Sequence, residues 1–413
     1  MKNSTKNNNL FLRFLSGLRA TLYIFTKEFK GMFRDRGVLI IIIVAPIVYP
    51  LLYPYLYKNE TVINVPIAVV DQSNSSRSKE FARHLDATMD VKVACKFDNL
   101  EQAKTELYKG NIHGIVYIPQ EFNKNLTEGT KQATVSMYSD MSSFLYYRAM
   151  MLSVNYVSLN MGEKIQIERL NNLGEVGEQA EITAKPIPNE GVILYNPGMG
   201  FGSFLLMAVL ILMIHQTLFF GIGMAAAAER EDNLKGELIT SAASHGKLFR
   251  VLWGRALSYF IVYMFWAVFI LMVVPRIFNL PHIGDIRSMT TFLAPFLLAT
   301  IFFSMTFSVF NKNRETQMIL LVFFSLILLF LSGISWPQYN MSGFWRTFSY
   351  LFPSTFGIQA FVKTNTMGAT SSAIRFETAG LWIQTIIYFI TTSILYYREI
   401  KKQRGRKAEI ATM

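Results

Sequence analysis

The chain has 413 residues, 51% hydrophobic and 14% aromatic, with a formal net charge of +12 and one cysteine. Its apolar residues fall in long runs, which excludes an ordinary soluble enzyme and predicts an α-helical polytopic membrane protein. A single cysteine excludes a disulfide framework and a thiolate metal site.

Residues 1–36 carry eight Lys or Arg against Glu28 and Asp35. Within them Phe11, Phe14, Leu18, Leu22, Phe25, Phe29 and Phe33 recur at spacings of three and four, while Arg13, Arg19, Lys27, Lys30 and Arg34 lie off that stripe. The pattern predicts a cytoplasmic tail forming an amphipathic helix in the membrane interface. Such a helix serves either as an anchor or as a lever coupling a cytoplasmic partner to the first span, and the pattern leaves both open.

Six runs reach the ~20 apolar residues that a ~30 Å hydrocarbon core requires. They are 37–57, 197–228, 251–274, 289–311, 317–335 and 379–397. The first has no small-residue cleavage site after it and is expected to be retained as a span. In it Pro46, Pro50 and Pro54 recur every four residues, as do Tyr49, Tyr53 and Tyr57. Each proline frees a backbone carbonyl, so this helix should be bent and packed against protein. Tyr49 and Tyr53 are candidates for a transport path or a dimer contact, the alternative being an aromatic belt at the interface.

Residues 58–195 hold 14 bases against 17 acids, whereas the tail 398–413 holds six bases against Glu399 and Glu409. The positive-inside rule then puts both termini in the cytoplasm and the long segment outside. The basic ends suit anionic membrane lipid. A nucleic-acid partner would need a folded basic face with interleaved aromatics, which the tail lacks.

Segment 58–196 reads as an α/β extracytoplasmic domain with a linker at 171–190. "INVPIAVVD", "VKVACKFD", "IHGIVYI" and "ATVSMYSD" are strand-like, and "SSRSKEFARHLDAT" and "NLEQAKTELYKG" helical, the latter with a capping box from Asn99 to Gln102 and a stop at Gly110. Strand alternation puts Val91, Val93, Cys95 and Phe97 on one face, with Cys95 a buried hydrophobe.

In the second span His215, Gln216 and Thr217 lie near mid-membrane, where polar side chains face the bundle interior. They serve either interhelical hydrogen bonding or a transport path, and Gln384 in the last span has the same two readings. "GMGFG" at 198–202 and Ala225–Ala228 allow close helix approach, in tight packing or at a dimer seam. Residues 229–250, "EREDNLKGELITSAASHGKLFR", form a short cytoplasmic loop with four acids and four bases, continuous with two spans. Residues 336–378 open with "WPQYNMSGFWRTFSYLFP", an apolar, aromatic stretch broken by prolines. Irregular backbone of this kind is tolerated at membrane depth when protein buries it, so an outer re-entrant region is expected between spans 5 and 6.

No G-x-x-x-x-G-K-[ST] phosphate loop, H-E-x-x-H or G-x-S-x-G occurs. His84, His113, His215, His245 and His282 have no ligand spacing. No catalytic residue, metal ligand or bound cofactor is therefore expected in this chain.

Several stretches resemble the type-2 permeases of ATP-binding-cassette exporters, with the type V exporter fold, over nearly the whole chain. "FKGMFRDRGVLIIIIVAPIVYPLL" is similar to that family's interfacial helix and first span, and "VPIAVVDQSNSSRSKEFARHL" to the start of its external domain. "EREDNLKGELITS" lies where the family has its coupling helix. The resemblance implies an ATPase-coupling role for Glu229, Arg230, Glu231, Asp232, Glu237 and Leu238, although Asn233 and Leu234 replace the usual Gly-Thr pair and Ala242 the later proline. "LSGISWPQYNMSGFWRTFSYLFPSTFGIQAF" is similar to the outer re-entrant region, implying a gate at Gly333, Pro337, Trp345, Pro353 and Thr355.

It further implies separate ABC ATPase subunits carrying ATP and Mg, a second permease copy or homologous permease, and a bacterial plasma (inner) membrane location. A periplasmic adaptor is a further partner compatible with it. The size and start of the external domain resemble multidrug and lipopeptide efflux permeases, which implies a hydrophobic or amphiphilic cargo. The rival reading is a non-transporting scaffold or receptor-like subunit of an envelope complex. A lipid transferase would need an acid, base or metal cluster that the sequence lacks.

Overall fold

The computed structural model describes residues 2–57, 61–129, 131–188, 191–231, 248–311 and 313–412. Two compact units result, one from 1–58 with 194–413 and one from 59–193.

The first unit is helical. It opens with α1 (Lys2–Arg34). Among the described residues, six helices in it are long and apolar enough to cross a membrane: Arg36–Leu56, Phe201–Glu231, Leu248–Ile277, Ile286–Ser308, Arg314–Leu331 and Arg375–Lys402, hereafter spans 1 to 6. In the most apolar windows of spans 2 and 4, 78% and 72% of the residues are buried, against 18% and 22% in spans 5 and 6. Spans 2 and 4 are therefore the interior pair, and span 4 packs on spans 2, 3 and 6. The core they share is aliphatic and phenylalanine-rich, with Phe292, Phe296, Phe302 and Phe303 fully enclosed.

Proline shapes two spans in the same way. A proline has no N–H, so the carbonyl four residues earlier loses its partner. Widened π turns at Ile40–Val44 and Phe269–Val273 stand just ahead of Pro46 and Pro275, with the Ala45 N–H bonded to the Ile40 carbonyl and that of Val274 to Phe269. Pro46, Pro50 and Pro54 then form a buried stripe, and Tyr49 and Tyr53 lie exposed on another face with ring centroids 6.3 Å apart.

On α1 the stripe that faces protein differs from the one periodicity selects. Leu18, Leu22 and Phe33 of the predicted apolar stripe are exposed, whereas Gly17, Ala20, Ile24 and Met32 are buried. Phe29 of the predicted stripe packs against the bundle core, Leu18, Leu22 and Phe33 are left for surroundings outside this chain, and Ile24 meets Gly254 of span 3.

The second unit is a four-stranded sheet in the order β2-β1-β3-β4, with β1 Val65–Asp71, β2 Val91–Phe97, β3 Gly114–Ile118 and β4 Ser136–Ser139. Strand β1 pairs in parallel with β2 and β3, and β4 adds antiparallel to β3. Helices cover both faces, giving one core around Val65, Ile67, Val69 and Phe81 and a smaller one around Ala68, Val70, Ala103 and Ile115. The helix Ser76–Asp86 opens on a capping box between Ser75 and Ser78, and Asp71 at the end of β1 accepts from Ser78 Oγ at 2.7 Å.

Three expectations change here. Val93 pairs with Ile67 but Cys95 pairs with Ala68, so a bulge at Ala94 splits the strand between faces. Val91 and Val93 join the larger core, Phe97 the smaller, and Cys95 is exposed instead of buried. Asn99 caps its helix by accepting from the Glu101 N–H, and the reciprocal bond from Gln102 is not among the described contacts. The segment read as a linker contains a helix, Glu178–Ala184.

Candidate functional site

The most heavily connected group of charges lies where α1 meets the end of span 2 and the starts of spans 3 and 5. Sequence places Glu229, Arg230 and Glu231 in a row as span 2 ends, and a helix points consecutive side chains about 100° apart, so each meets a different neighbour.

Glu229 accepts from Arg255 Nη2 of span 3 through both carboxylate oxygens, at 2.6 and 2.7 Å. The same guanidinium reaches Glu28 of α1, Nε to Oε2 at 3.3 Å. One turn further along span 3, the Tyr259 hydroxyl donates to Glu28 Oε1 at 3.1 Å. Side chains of Arg255, Glu28 and Glu229 are 12%, 18% and 19% exposed, so water screens these pairs little. Burial pushes the Glu28 carboxyl above the ordinary carboxylate range; Arg255 opposes this and Glu229 adds to it.

Arg230 Nη1 donates to the carbonyls of Ser308, at 2.6 Å, and Asn311, which close span 4. A cation there satisfies carbonyls that a helix end leaves without partners. Glu231 accepts from the Arg314 backbone N–H at 2.8 Å, and its Oε2 lies 3.0 Å from Arg314 Nε at the start of span 5. Arg314 Nη2 in turn reaches Asp35 Oδ2 at 2.7 Å, and Asp35 caps the start of span 1 by accepting from the Val38 N–H at 3.0 Å. Three consecutive residues thus bind span 2 to spans 3, 4 and 5 and, through two arginines, to α1 and span 1.

At the opposite end of the bundle, the chain between spans 5 and 6 folds back. Gly333 ends span 5 at a φ of +86°, a left-handed backbone that disfavours a side chain. A short helix, Gly343–Ser349, precedes a second, Pro353–Phe361, which Pro353 opens at its first turn. In the second, Pro353–Ile358, Ala360 and Phe361 are all buried, packed against spans 2, 4 and 6. Thr355 Oγ1 donates to the Ser349 carbonyl at 2.8 Å, joining the two helices. A π turn at Val362–Thr366 follows. There Asn365 Nδ2 donates to the Pro281 carbonyl at 2.8 Å and Lys363 Nζ lies 2.5 Å from Glu377 Oε1 of span 6.

The family model for ABC-2 family transporter proteins matches residues 36–394. The chain belongs to that family. No curated protein gave a match.

This ABC-2 permease is accordingly a multi-pass membrane protein and a membrane subunit, not itself a catalyst. Its predicted site residues fall in separate places. Glu229, Arg230 and Glu231 come together as described, turned toward their own chain. Asp232, Glu237 and Leu238 lie outside the described residues, as do Asn233, Leu234 and Ala242. Gly333, Pro353 and Thr355 belong to the folded-back segment, with Pro337 at the head of a short 3-10 turn. Trp345 stands 52% exposed, edge-on to Phe344 and Phe348.

His215 is fully enclosed against Phe303, ring centroids 5.5 Å apart, and neither ring nitrogen has a described partner. Gln216 is half-buried, and Tyr49 and Tyr53 are on the exposed face of span 1. No described contact joins His215 or Gln216 of span 2 to the tyrosine pair of span 1. Gln384 Nε2 donates to the Tyr350 carbonyl at 2.7 Å, tying span 6 to the folded-back segment. Ala226, Ala227 and Ala228 are buried within the chain, and a Cβ at Gly202 would stand 3.1 Å from the Tyr57 carbonyl at the end of span 1, so that glycine allows close approach, whereas a Cβ at Gly198 would meet nothing within 4 Å.

In the sequence Glu28 and Asp35 register only as charges, and no motif marks Arg255, Tyr259 or Arg314. Each arginine stands at or just inside the start of an apolar run, where a basic residue ordinarily signals no more than a membrane boundary. The available signal was two acids, Glu28 and Asp35, amid the eight bases of the first 36 residues.

Proposed function

We propose that this permease is the membrane-spanning subunit of an ATP-driven exporter. Hydrolysis takes place on separate ABC ATPase subunits that carry ATP and Mg, and a second permease copy or homologue completes the complex. The cargo is hydrophobic or amphiphilic, a drug, lipid or lipopeptide, taken from the cytoplasm or inner leaflet. In this arrangement the end of the bundle bearing α1 and both termini faces the cytoplasm of a bacterial plasma membrane, and unit 59–193 faces outward.

The observation that carries the reading is the row Glu229-Arg230-Glu231. It stands immediately before 232–247, the stretch read as the ATPase contact, and links that stretch to four other spans and α1. A push applied there enters most of the bundle at once. A passive scaffold has no need of such a junction.

At the other end, the buried helix Pro353–Phe361 serves as the gate. It touches spans 2, 4 and 6 together, so relative movement of these spans must displace it. The exposed apolar faces of spans 1 and 5, including Val48, Leu52, Phe323 and Phe330, are available to lipid and to the second copy.

The test is purification of tagged protein from native membranes in mild detergent, followed by mass spectrometry and an ATPase assay. A co-purifying P-loop ATPase with vanadate-sensitive turnover is the expected result. Its absence, under conditions that keep other exporters intact, overturns the exporter reading in favour of the scaffold.

A further inference from the structure

We propose that Arg255 is a positioning residue that clamps α1 to the joined ends of spans 2 and 3, so that force entering at 232–247 moves the three as one body. The inference rests on the exporter reading and adds to it a named intrachain link; α1 itself lies outside residues 36–394 that define the family match.

Two independent observations carry it. The first is steric. A Cβ at Gly254 would stand 2.9 Å from both Ile24 and the Thr21 carbonyl, so the α1 and span 3 backbones touch there with nothing between them. Contact of this kind fixes the separation of two helices but leaves them free to slide or roll.

The second is ionic and removes that freedom. Arg255 follows Gly254 directly and grips Glu28 on one side and Glu229 on the other. Tyr259 holds the second oxygen of Glu28, so the carboxylate is pinned by two residues one turn apart. A guanidinium suits this task because its rigid fork presents donors in two directions, whereas an ammonium is a single point.

Stability alone does not account for the arrangement. Burying ions is costly, and replacing a buried ionic cluster by well-packed apolar side chains is often neutral or stabilising. What the cluster supplies is a fixed register between three helices. Span 2 is gripped two residues before the last described residue ahead of 232–247, and span 3 is gripped within two turns after that stretch ends. Both exits of the stretch therefore lead into the same clamp. Arg314, which holds Asp35 and Glu231, is 34% exposed and provides a looser second tie.

The test uses the complex with its ATPase in lipid nanodiscs, with an environment-sensitive label at the opposite end of the bundle. Tyr339, 80% exposed, is replaced by cysteine in a C95S background and labelled. The label's response to ATP with vanadate is compared with ATP turnover, thermal unfolding serving as the structural control. In R255M, turnover stays within about twofold of the parent while the label response falls about fivefold or more, in the range typical of coupling between sites. R255K recovers part of the response, and Y259F and E28Q lose a smaller share of it.

Parent-like responses in R255M overturn the clamp. Should R255M fail to assemble, parent-like responses in both Y259F and E28Q overturn it equally. A label in the parent complex that ignores ATP overturns the exporter reading, and the clamp falls with it. A responding parent with an unaffected R255M removes the clamp alone.

Discussion

Where α1 docks, helix ends remote in sequence are joined by charges: Arg255 between Glu28 and Glu229, Arg314 between Asp35 and Glu231, Arg230 on the carbonyls of span 4. At the opposite end the joints are mostly neutral, with Thr355 bonded to the Ser349 carbonyl, Gln384 to Tyr350, Asn365 to Pro281, and a whole short helix enclosed by aromatic and aliphatic side chains. The difference has a physical consequence. An ionic joint among groups only 12–19% exposed holds helices that merely touch in one register, so a push on one is passed to the others, whereas a helix seated in a dry core has discrete positions and must shift as a unit. The first kind suits a place where force arrives, the second a place that is either open or closed.

Among the described residues the contrast has an exception in Lys363 and Glu377, and removing it has the largest expected effect. Glu377 has a side chain only 2% exposed and pairs with Lys363, which is 44% exposed. K363M leaves a buried carboxylate without its cation and should lower stability by about 3 kcal/mol; the position of Glu377 in the first turn of span 6 keeps the loss at the low end for a broken buried pair. The check is thermal unfolding in detergent, and a loss no larger than that of a surface variant would make this end wholly neutral in character.

Next in size is G254V, which forces apart the touching backbones of α1 and span 3. Overpacking of this sort costs about 1–3 kcal/mol. It should also expose α1 amides to hydrogen exchange, so unchanged protection over residues 17–33 would show that the contact at Gly254 is not what seats the helix.

A neutral joint should cost less. T355V keeps the shape of the buried side chain and removes its bond to Ser349, for an expected loss of about 1 kcal/mol. A much larger loss would mean that the folded-back segment depends on that single bond more than on its packing.

The smallest effect concerns pH. Because burial raises the Glu28 carboxyl above its ordinary value, the folded protein holds this proton more tightly than the unfolded chain does. Its contribution to stability is therefore fully present below the ordinary carboxylate range and is lost as pH rises through the raised value. The groups facing it are Arg255, Glu229, Tyr259 and Lys27. E28Q cannot titrate, so comparing its unfolding temperature with the parent's from about pH 5 to about pH 8 should show a flatter profile. Parallel profiles would remove Glu28 as a titrating member of the junction.

Much of the scaffold is legible without coordinates because it depends on local pattern. Runs of about 20 apolar residues mark the spans, since hydrocarbon imposes a length. Prolines every fourth residue predict a face packed on protein, and Pro46, Pro50 and Pro54 are that face. The strands of the α/β unit follow from short apolar runs, and the one face assigned by alternation fails where alternation is interrupted: one bulged residue, Ala94, sends Cys95 to a different face from Val93. On α1, periodicity selects the bulky stripe, because the face that packs depends on a partner remote in sequence: Ile24 is buried where Gly254 of span 3 lets the two backbones touch.

The candidate site divides along the same line. Glu229, Arg230 and Glu231 could be singled out from their place between two spans, but their partners could not. Glu28 is 201 residues from Glu229, and Asp35 is 279 from Arg314.

The sequence by itself determined that this is a multi-pass membrane protein, roughly which segments are long and apolar enough to cross, and that a charged stretch separates spans 2 and 3, because each of these is written in the composition of contiguous residues. Only the tertiary structure decided that the acids at the end of span 2 turn inward onto arginines of spans 3 and 5. Ion pairing is a matter of a few ångströms between side chains, and which helices stand that close is set by how the whole bundle packs.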